Sequence, residues 1–188
     1  MQPRFRGAVL LIVAALPGCA SLSEAECHTV DWHARGLRDG HNGVVASRIH
    51  NYRTDCAEHG VVANVQAWSA GHQIGLLSYC TADRGYEEGI SGRRYAEVCP
   101  LDREAQFLPA YRLGAARYQA DSEIERINAD QDRLHSRLRE KQLSDDERQT
   151  IREQLRAQDR YLRELRQYRD YVYALAPGVP ITPAPSRY

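Results

Sequence analysis

The sequence has no net charge and none of the short motifs that usually accompany catalysis. Its 25 lysines and arginines balance its 25 aspartates and glutamates, so no bulk electrostatic field favours nucleic acid as a partner. It contains no glycine-rich phosphate loop and no dinucleotide-binding motif. Ser69, Ser78 and Ser91 lack the nucleophile-elbow context of a catalytic serine. Nothing in the sequence therefore indicates an enzyme, and we expect no cofactor.

A hydrophobic run long enough to span a bilayer is also missing. The apolar run near the amino terminus, Ala8 to Leu16, has about nine residues, whereas a spanning helix needs roughly 20. Arg4 and Arg6 precede this run. A basic start followed by a short apolar core predicts a signal peptide over residues 1–18.

The segment after this run resembles a bacterial lipobox, with the sequence Leu16-Pro17-Gly18-Cys19 followed by Ala20. The resemblance implies that Cys19 carries a diacylglyceryl thioether and an acylated amino group, with palmitate-type chains. It implies a lipoprotein on the periplasmic face of the outer membrane, with residues 19–26 as a lipidated tether. The alternative is an ordinary cleaved signal that leaves Cys19 as a free thiol.

Four further cysteines are present, namely Cys27, Cys56, Cys80 and Cys99. An even number of cysteines in an exported chain indicates two disulfides. Four cysteines allow three connectivities, and the residues alone do not select one.

The second half of the chain predicts an antiparallel helical hairpin over residues 116–176. Glycine is absent between Gly114 and Gly178, and two series of mostly apolar residues recur at steps of three and four, as on one face of a helix. Ser144 and Glu147 between them form a capping-box pattern that starts the second helix. We call the two series the seam; it comprises Ile124, Ile127, Gln131, Leu134 and Leu138, then Ile151, Leu155, Gln158, Leu162, Leu165 and Val172.

The hairpin should be coiled-coil-like, and the proline-rich residues 177–188 are expected to form a disordered tail. So narrow a hairpin has little interior of its own. Its apolar faces must therefore pack on the first half of the chain, on a second copy or on a partner.

The first half, residues 27–115, predicts a small helical domain stapled by disulfides. An aromatic residue precedes a glycine by three or four positions several times, which places both on one helical face. Close packing of short helices explains this pattern, and the predicted fold class is therefore mainly α. The pairs are Trp32 and Gly36, Trp68 and Gly71, Tyr86 and Gly89, and Tyr111 and Gly114.

This half contains three ordered motifs, namely Asp31-Trp32 with Gly36, Asp39 and Gly43, then Trp68 to Gly71 with Gly75 and Cys80, then Gly89 to Gly92 with Tyr95 to Cys99. Together they resemble a family of small bacterial envelope lipoproteins known as domain of unknown function 2799. The resemblance covers about residues 27–115, and it implies an uncharacterised lipoprotein without a known activity. It also implies the disulfides Cys80–Cys99 and Cys27–Cys56.

Histidines are the main candidates for metal binding. His33 and His41 each follow an aspartate by two residues, and His59 follows Cys56 by three. These three are weak candidates, because a metal site needs three or four converging donors and the cysteines are expected to be oxidised. We therefore expect no metal, and solvated or capping histidines instead. Asp31 and Asp39 are expected to cap backbone N–H groups beside glycine-rich turns.

The sequence thus favours a bacterial envelope lipoprotein that serves as a structural or protein-interaction module. Its partners would be the membrane, through the lipid anchor, and an envelope protein or a second copy, through the hairpin. The alternative function is a periplasmic small-ligand or metal-binding module. An envelope enzyme is the third possibility.

Overall fold

The computed structural model describes residues 22–177, and this range contains seven helices and no strand. The predicted mainly α fold is confirmed. The signal peptide, Cys19 and the tail from residue 178 lie outside the described residues. The helices are α1 (Glu24–Thr29), α2 (Trp32–His41), α3 (Arg48–Glu58), α4 (Val65–Tyr79), α5 (Ala82–Ile90), α6 (Leu101–Leu138) and α7 (Asp145–Ala174).

These residues form two compact units. The first comprises residues 22–30 and 47–63, with α1 and α3, and the second comprises residues 31–46 and 64–177. None of the described helices is long and apolar enough to cross a membrane.

The first unit is small and depends on a disulfide. Cys27 of α1 is bonded to Cys56 of α3, and both side chains are buried. Closing a loop of about 30 residues stabilises the folded state by roughly 3–4 kcal/mol. Leu22 is only 2% exposed, and Ser23 begins α1 with a capping box to Glu26. Ordered structure therefore begins before the predicted domain start at residue 27.

Helices α2 and α4 of the second unit touch backbone to backbone. A Cβ atom built on any of four glycines would overlap a carbonyl oxygen of the opposite helix. Such contact needs glycine, although each glycine inside a helix costs about 0.5–1 kcal/mol relative to alanine. The four are Gly36 and Gly40 on α2, and Gly71 and Gly75 on α4.

Helices α5 and α6 repeat this arrangement. Gly85 and Gly89 of α5 face the carbonyl oxygens of Phe107 and Tyr111, and Gly114 of α6 faces the carbonyl oxygen of Tyr86. We call the α2–α4 pair the first repeat and the α5–α6 pair the second repeat.

The local sequences of α2 and α5 match position by position. In each, an arginine precedes the first glycine, and an acidic residue three positions after that glycine precedes the second glycine. A third glycine has a positive φ, and an aromatic ring covers it. The aromatic–glycine pattern predicted close packing of short helices, and these backbone contacts show it; the repeating unit is a pair of helices. The matched residues are Arg35, Gly36, Asp39, Gly40, Gly43 and Tyr79 in the first repeat, and Arg84, Gly85, Glu88, Gly89, Gly92 and Tyr118 in the second.

The predicted hairpin is formed by α6 and α7. Ile124, Ile127 and Leu162 build a buried cluster with Leu165 beside it. α6 starts at Leu101, however, and runs unbroken through Pro109. The predicted limit between residues 115 and 116 therefore lies inside a helix, because no glycine or proline lies between Gly114 and the end of α6 at Leu138.

The polar residues of the seam set the register of the two helices. Gln131 Nε2 donates to Asp159 Oδ1 at 2.7 Å, and Gln158 Nε2 donates to Asp130 Oδ2 at 2.6 Å. These two hydrogen bonds cross the hairpin in opposite directions at the same level. The Gln131 bond is exposed and the Gln158 bond is partly buried, and the buried Oε1 atom of Gln158 has no hydrogen-bond partner among the described residues.

Both ends of the hairpin loop are capped. Ser144 and Glu147 form the predicted capping box at the start of α7. The Arg148 guanidinium donates to the carbonyl oxygens of Leu138 and Glu140 at 2.8 and 2.7 Å. One arginine thus satisfies carbonyl groups that the end of α6 leaves without helical partners.

The glycine contacts predict an unusual response to alanine. In an exposed helix, glycine to alanine stabilises by up to about 1 kcal/mol. We expect Gly40→Ala and its counterpart Gly89→Ala instead to destabilise by about 1–3 kcal/mol each, because the added methyl group overlaps a backbone carbonyl.

Urea unfolding of the oxidised protein measures this effect, with the exposed Gln73→Ala on α4 as the control. Unchanged or increased stability in both glycine variants would show that the helices do not need backbone contact.

Candidate functional site

The three histidines proposed as weak metal candidates do not form a site. His33 and His41 lie on α2, and His59 ends α3, where its Nδ1 is 3.9 Å from Glu24. Cys56 is bonded to Cys27 and cannot serve as a ligand beside His59. Within residues 22–177, no group of three or more His, Cys, Asp or Glu side chains is placed to hold a metal ion.

His41 does have a serine neighbour that the sequence analysis missed. Its Nδ1 lies 2.8 Å from Ser78 Oγ, and Ser78 Oγ donates to the carbonyl oxygen of Gly75 at 2.8 Å. The tautomer of His41 sets which of the two side chains donates in this hydrogen bond. The pair joins α2 to α4.

Asp31 and Asp39 play different parts. Asp31 caps α2 by accepting a hydrogen bond from the backbone N–H of Ala34 at 3.0 Å, as expected. The capping role expected for Asp39 is wrong. Its carboxylate is buried, accepts a hydrogen bond from Trp68 Nε1 at 2.9 Å and lies 3.4 Å from Arg35 Nε. In the turn that follows α2, the backbone N–H groups of Asn42 and Val44 donate to the carbonyl oxygen of Asp39 and not to its carboxylate.

Glu88 is the counterpart of Asp39 in the second repeat. It is buried, and both of its oxygens accept hydrogen bonds from Arg93, at 2.6 and 3.0 Å. Arg84 lies 3.4 Å away. The hydrogen bond to Glu88, followed by its charge, raises the pKa of Arg93 above its ordinary value. A buried carboxylate with paired donors fixes local structure, and removing one partner typically costs 3–5 kcal/mol.

An aromatic cluster surrounds the second disulfide, Cys80–Cys99. Phe107 is fully buried and stacks with Tyr79 at a ring-centroid distance of 5.2 Å, and Tyr95 packs on its other side at 4.7 Å. The Tyr95 hydroxyl accepts from the backbone N–H of Cys99 at 3.0 Å. The cluster fixes the irregular segment between α5 and α6, and both disulfides implied by the family resemblance are present.

An open groove of about 740 Å³ lies in the first unit. One wall is a face of α3 with His50, Arg53 and Thr54, and the other is the segment 60–63. The groove has two basic side chains but neither a carboxylate nor a thiol among its lining residues. It therefore brings together no acid–base pair.

The hairpin carries an exposed aromatic surface that the seam prediction did not include. We call it the tyrosine stripe, defined as Tyr161, Tyr168, Tyr171 and Leu175, each between 46% and 63% exposed. Their steps of seven, three and four place them on one face of α7. The residue that follows each of them faces α6, and successive side chains of a helix are rotated by about 100° around its axis. The stripe therefore lies beside the seam and does not contribute to it.

The comparison with protein families gives one match. Residues 31–116 match the family described as protein of unknown function (DUF2799). The chain carries a DUF2799 domain. No curated protein and no solved structure matches the chain.

The DUF2799 match begins at the N-cap of α2 and ends two residues after Gly114, so it includes both glycine repeats. The second part of α6 and all of α7 lie beyond it. The tyrosine stripe is therefore outside the matched region, and both buried carboxylates are inside it.

The buried aromatic cluster predicts a pH effect. Burial, with a contribution from Glu88, raises the pKa of Tyr79 from 10.0 to about 12. The unfolded chain loses this proton near pH 10 while the folded chain retains it. The stability that Tyr79 contributes is therefore complete below pH 10 and is lost between pH 10 and 12.

We expect the unfolding free energy of the wild type to fall more steeply over this range than that of Tyr79→Phe, which cannot ionise. Brief urea unfolding on both sides of pH 10, with free thiols blocked, measures the difference. Parallel curves for the two proteins would contradict the assignment.

Proposed function

We propose that this protein is an outer-membrane lipoprotein, anchored through Cys19, that serves as a protein-interaction module. Another envelope protein would dock on the tyrosine stripe of the hairpin. The DUF2799 family supplies no activity, so the proposal rests on the stripe itself.

The exposure of the stripe carries the proposal. Tyrosine is enriched at the energetic centres of protein interfaces because its ring gives a large contact area at a small cost in side-chain entropy. Three tyrosines of α7 and Leu175 at its C-cap lie about half exposed along one side of the helix, with two turns between Tyr161 and Tyr168. The apolar face of α7 is already covered by α6, so the stripe is not needed to hold the hairpin together.

The contacts that hold α7 along its length support its role as a rigid docking element. Its first turn is capped, its register is fixed by two glutamine–aspartate hydrogen bonds, and Arg169 lies 3.7 Å from Asp121 of α6. Near its other end, Arg117 of α6 lies over the ring of Tyr173 at 4.9 Å. A helix held along its whole length presents side chains without an ordering cost on binding.

The anchor leads to a first prediction. In cells that express the full chain, we expect a fatty-acid analogue to label the wild type and to leave Cys19→Ser unlabelled and displaced from the membrane fraction, because the other cysteines are in disulfides. Ala20→Ser, which keeps a small residue after the cysteine, is the control and should remain labelled. An unlabelled wild type would contradict lipidation.

The stripe leads to a second prediction. A photoreactive amino acid at Tyr168 of the full chain, in its own cells, should crosslink to one discrete protein. The same amino acid at Arg163, which is equally part of α7 but faces away from the stripe, should not. Tyr161→Ser together with Tyr171→Ser should reduce the Tyr168 product roughly tenfold or more, since two interfacial tyrosines commonly supply more than 1 kcal/mol each.

Mass spectrometry then identifies the crosslinked protein. Equal products from positions 168 and 163 would contradict docking through the stripe. A product that contains two copies of this chain would replace the partner with self-association.

A further inference from the structure

The first repeat has an exposed apolar face, and the corresponding face of the second repeat is partly covered. Ile74 and Leu77 of α4 are 51% and 48% exposed, and Leu37 of α2 is 40% exposed. Leu37 lies directly across the helix contact, since its backbone faces Gly71 and Gly75. We call these three residues the α4 face.

Helix α4 is unusual in its lack of charge. Its 15 residues from Val65 to Tyr79 include no Asp, Glu, Lys or Arg. Solvated helix faces normally carry charged residues, whereas the centres of protein interfaces are depleted in them. The composition of the α4 face is therefore that of a covered surface.

The internal repeat shows what covers such a face. Matching Gly75 with Gly114 and Tyr79 with Tyr118 places Ile74 at Leu113 and Leu77 at Ala116. Leu113 and Ala116 lie at helical spacing from Ala120 and Ile124, so they continue the stripe of α6 that packs on α7.

The end of α7 lies over this part of α6. The Arg117–Tyr173 and Asp121–Arg169 contacts fix the two helices at that level. Val172 is 3% exposed. By the level of these two contacts, the last turn of α7 lies beside Ala116, the counterpart of Leu77, and Leu113, the counterpart of Ile74, lies just beyond the end of α7. The first repeat has no such helix, because α4 ends at Tyr79, twenty residues short of the corresponding extension of α6.

We propose that the α4 face binds an amphipathic helix of a partner protein, in the position that α7 occupies on α6. The bound helix would present small apolar residues at steps of three and four. Acidic residues would flank them, because Arg38 on the exposed side of α2 has no ion pair within residues 22–177, while Arg35 is already beside Asp39.

A second copy fits this face less well. The apolar residues Val172 and Leu162 of α7 are buried against its own α6. The proposed surface belongs to α2 and α4 and involves no residue of the tyrosine stripe, so it goes beyond the docking function proposed above.

The repeat itself supplies a probe for the test. A synthetic peptide with the sequence of residues 158–176 copies the helix that covers α6. In the acidic version, Arg163 and Arg166 are each replaced by Glu. Fluorescence anisotropy of the labelled peptides measures their binding to the full chain in detergent.

We expect saturable binding of the acidic peptide and affinity at least tenfold weaker for the unmodified peptide. Leu77→Glu should weaken binding of the acidic peptide at least tenfold, and Arg38→Glu should reverse the preference between the two peptides. Leu77→Ala, which leaves the helix propensity of α4 intact, should weaken it several-fold.

Two control variants separate this surface from the others. Val62→Ser removes a 90% exposed apolar side chain of the first unit, and Tyr168→Ser removes part of the tyrosine stripe. Neither should change binding of the peptides. A loss in Tyr168→Ser would assign the peptide to the hairpin and overturn the proposal.

Absence of saturable binding, or equal binding by the wild type and Leu77→Glu, would also overturn it. The proposal would also be overturned if light scattering gave Leu77→Glu a lower molecular mass than the wild type, because that result would show that a second copy covers the face. None of these outcomes bears on the Tyr168 crosslink, so the two proposals stand or fall separately.

Discussion

Backbone contact between helices at glycine is the constraint on which the rest of the second unit depends. Helices α2 and α5 are short, with 10 and 9 residues, and offer few apolar side chains to a core. Without Cβ atoms at the contact, the opposing backbones approach closely enough for dispersion to act over the whole interface. The same register then fixes the other features. The acid before each second glycine turns inward to Trp68 or to Arg93, and an aromatic ring covers each third glycine.

The parts of the chain that lack this contact are held by other means. In the first unit, α1 and α3 are joined by Cys27–Cys56. The irregular segment after α5 is held by Cys80–Cys99 and by the hydroxyl groups of Tyr95 and Tyr111, which bind its backbone. The hairpin relies on an apolar seam with two paired glutamines. Helix α6 takes part in both systems, with glycine contact at its start and the seam along its remainder. It therefore transmits the position of the glycine repeat to the hairpin.

The sequence predicted most where a local pattern decides the structure. The hairpin follows from the spacing of its apolar residues, and the caps at Ser144 and Asp31 follow from short-range hydrogen bonds. It predicted less where partners are distant. Asp39 meets Trp68 across 29 positions, and His41 meets Ser78 across 37, so neither contact has a local signature. The pairing of the cysteines came from the family resemblance and not from their number. The tyrosine stripe has no signature in the apolar periodicity, because it lies beside the face of α7 that forms the seam.

The beginning of the ordered structure constrains where the protein can act. Leu22 is buried in the first unit, only three positions after Cys19. At no more than about 3.6 Å per residue, three residues of chain reach roughly 11 Å. With Cys19 acylated as proposed, this distance leaves the first unit almost no freedom to leave the membrane surface. A partner of this unit must therefore be found at the lipid headgroups.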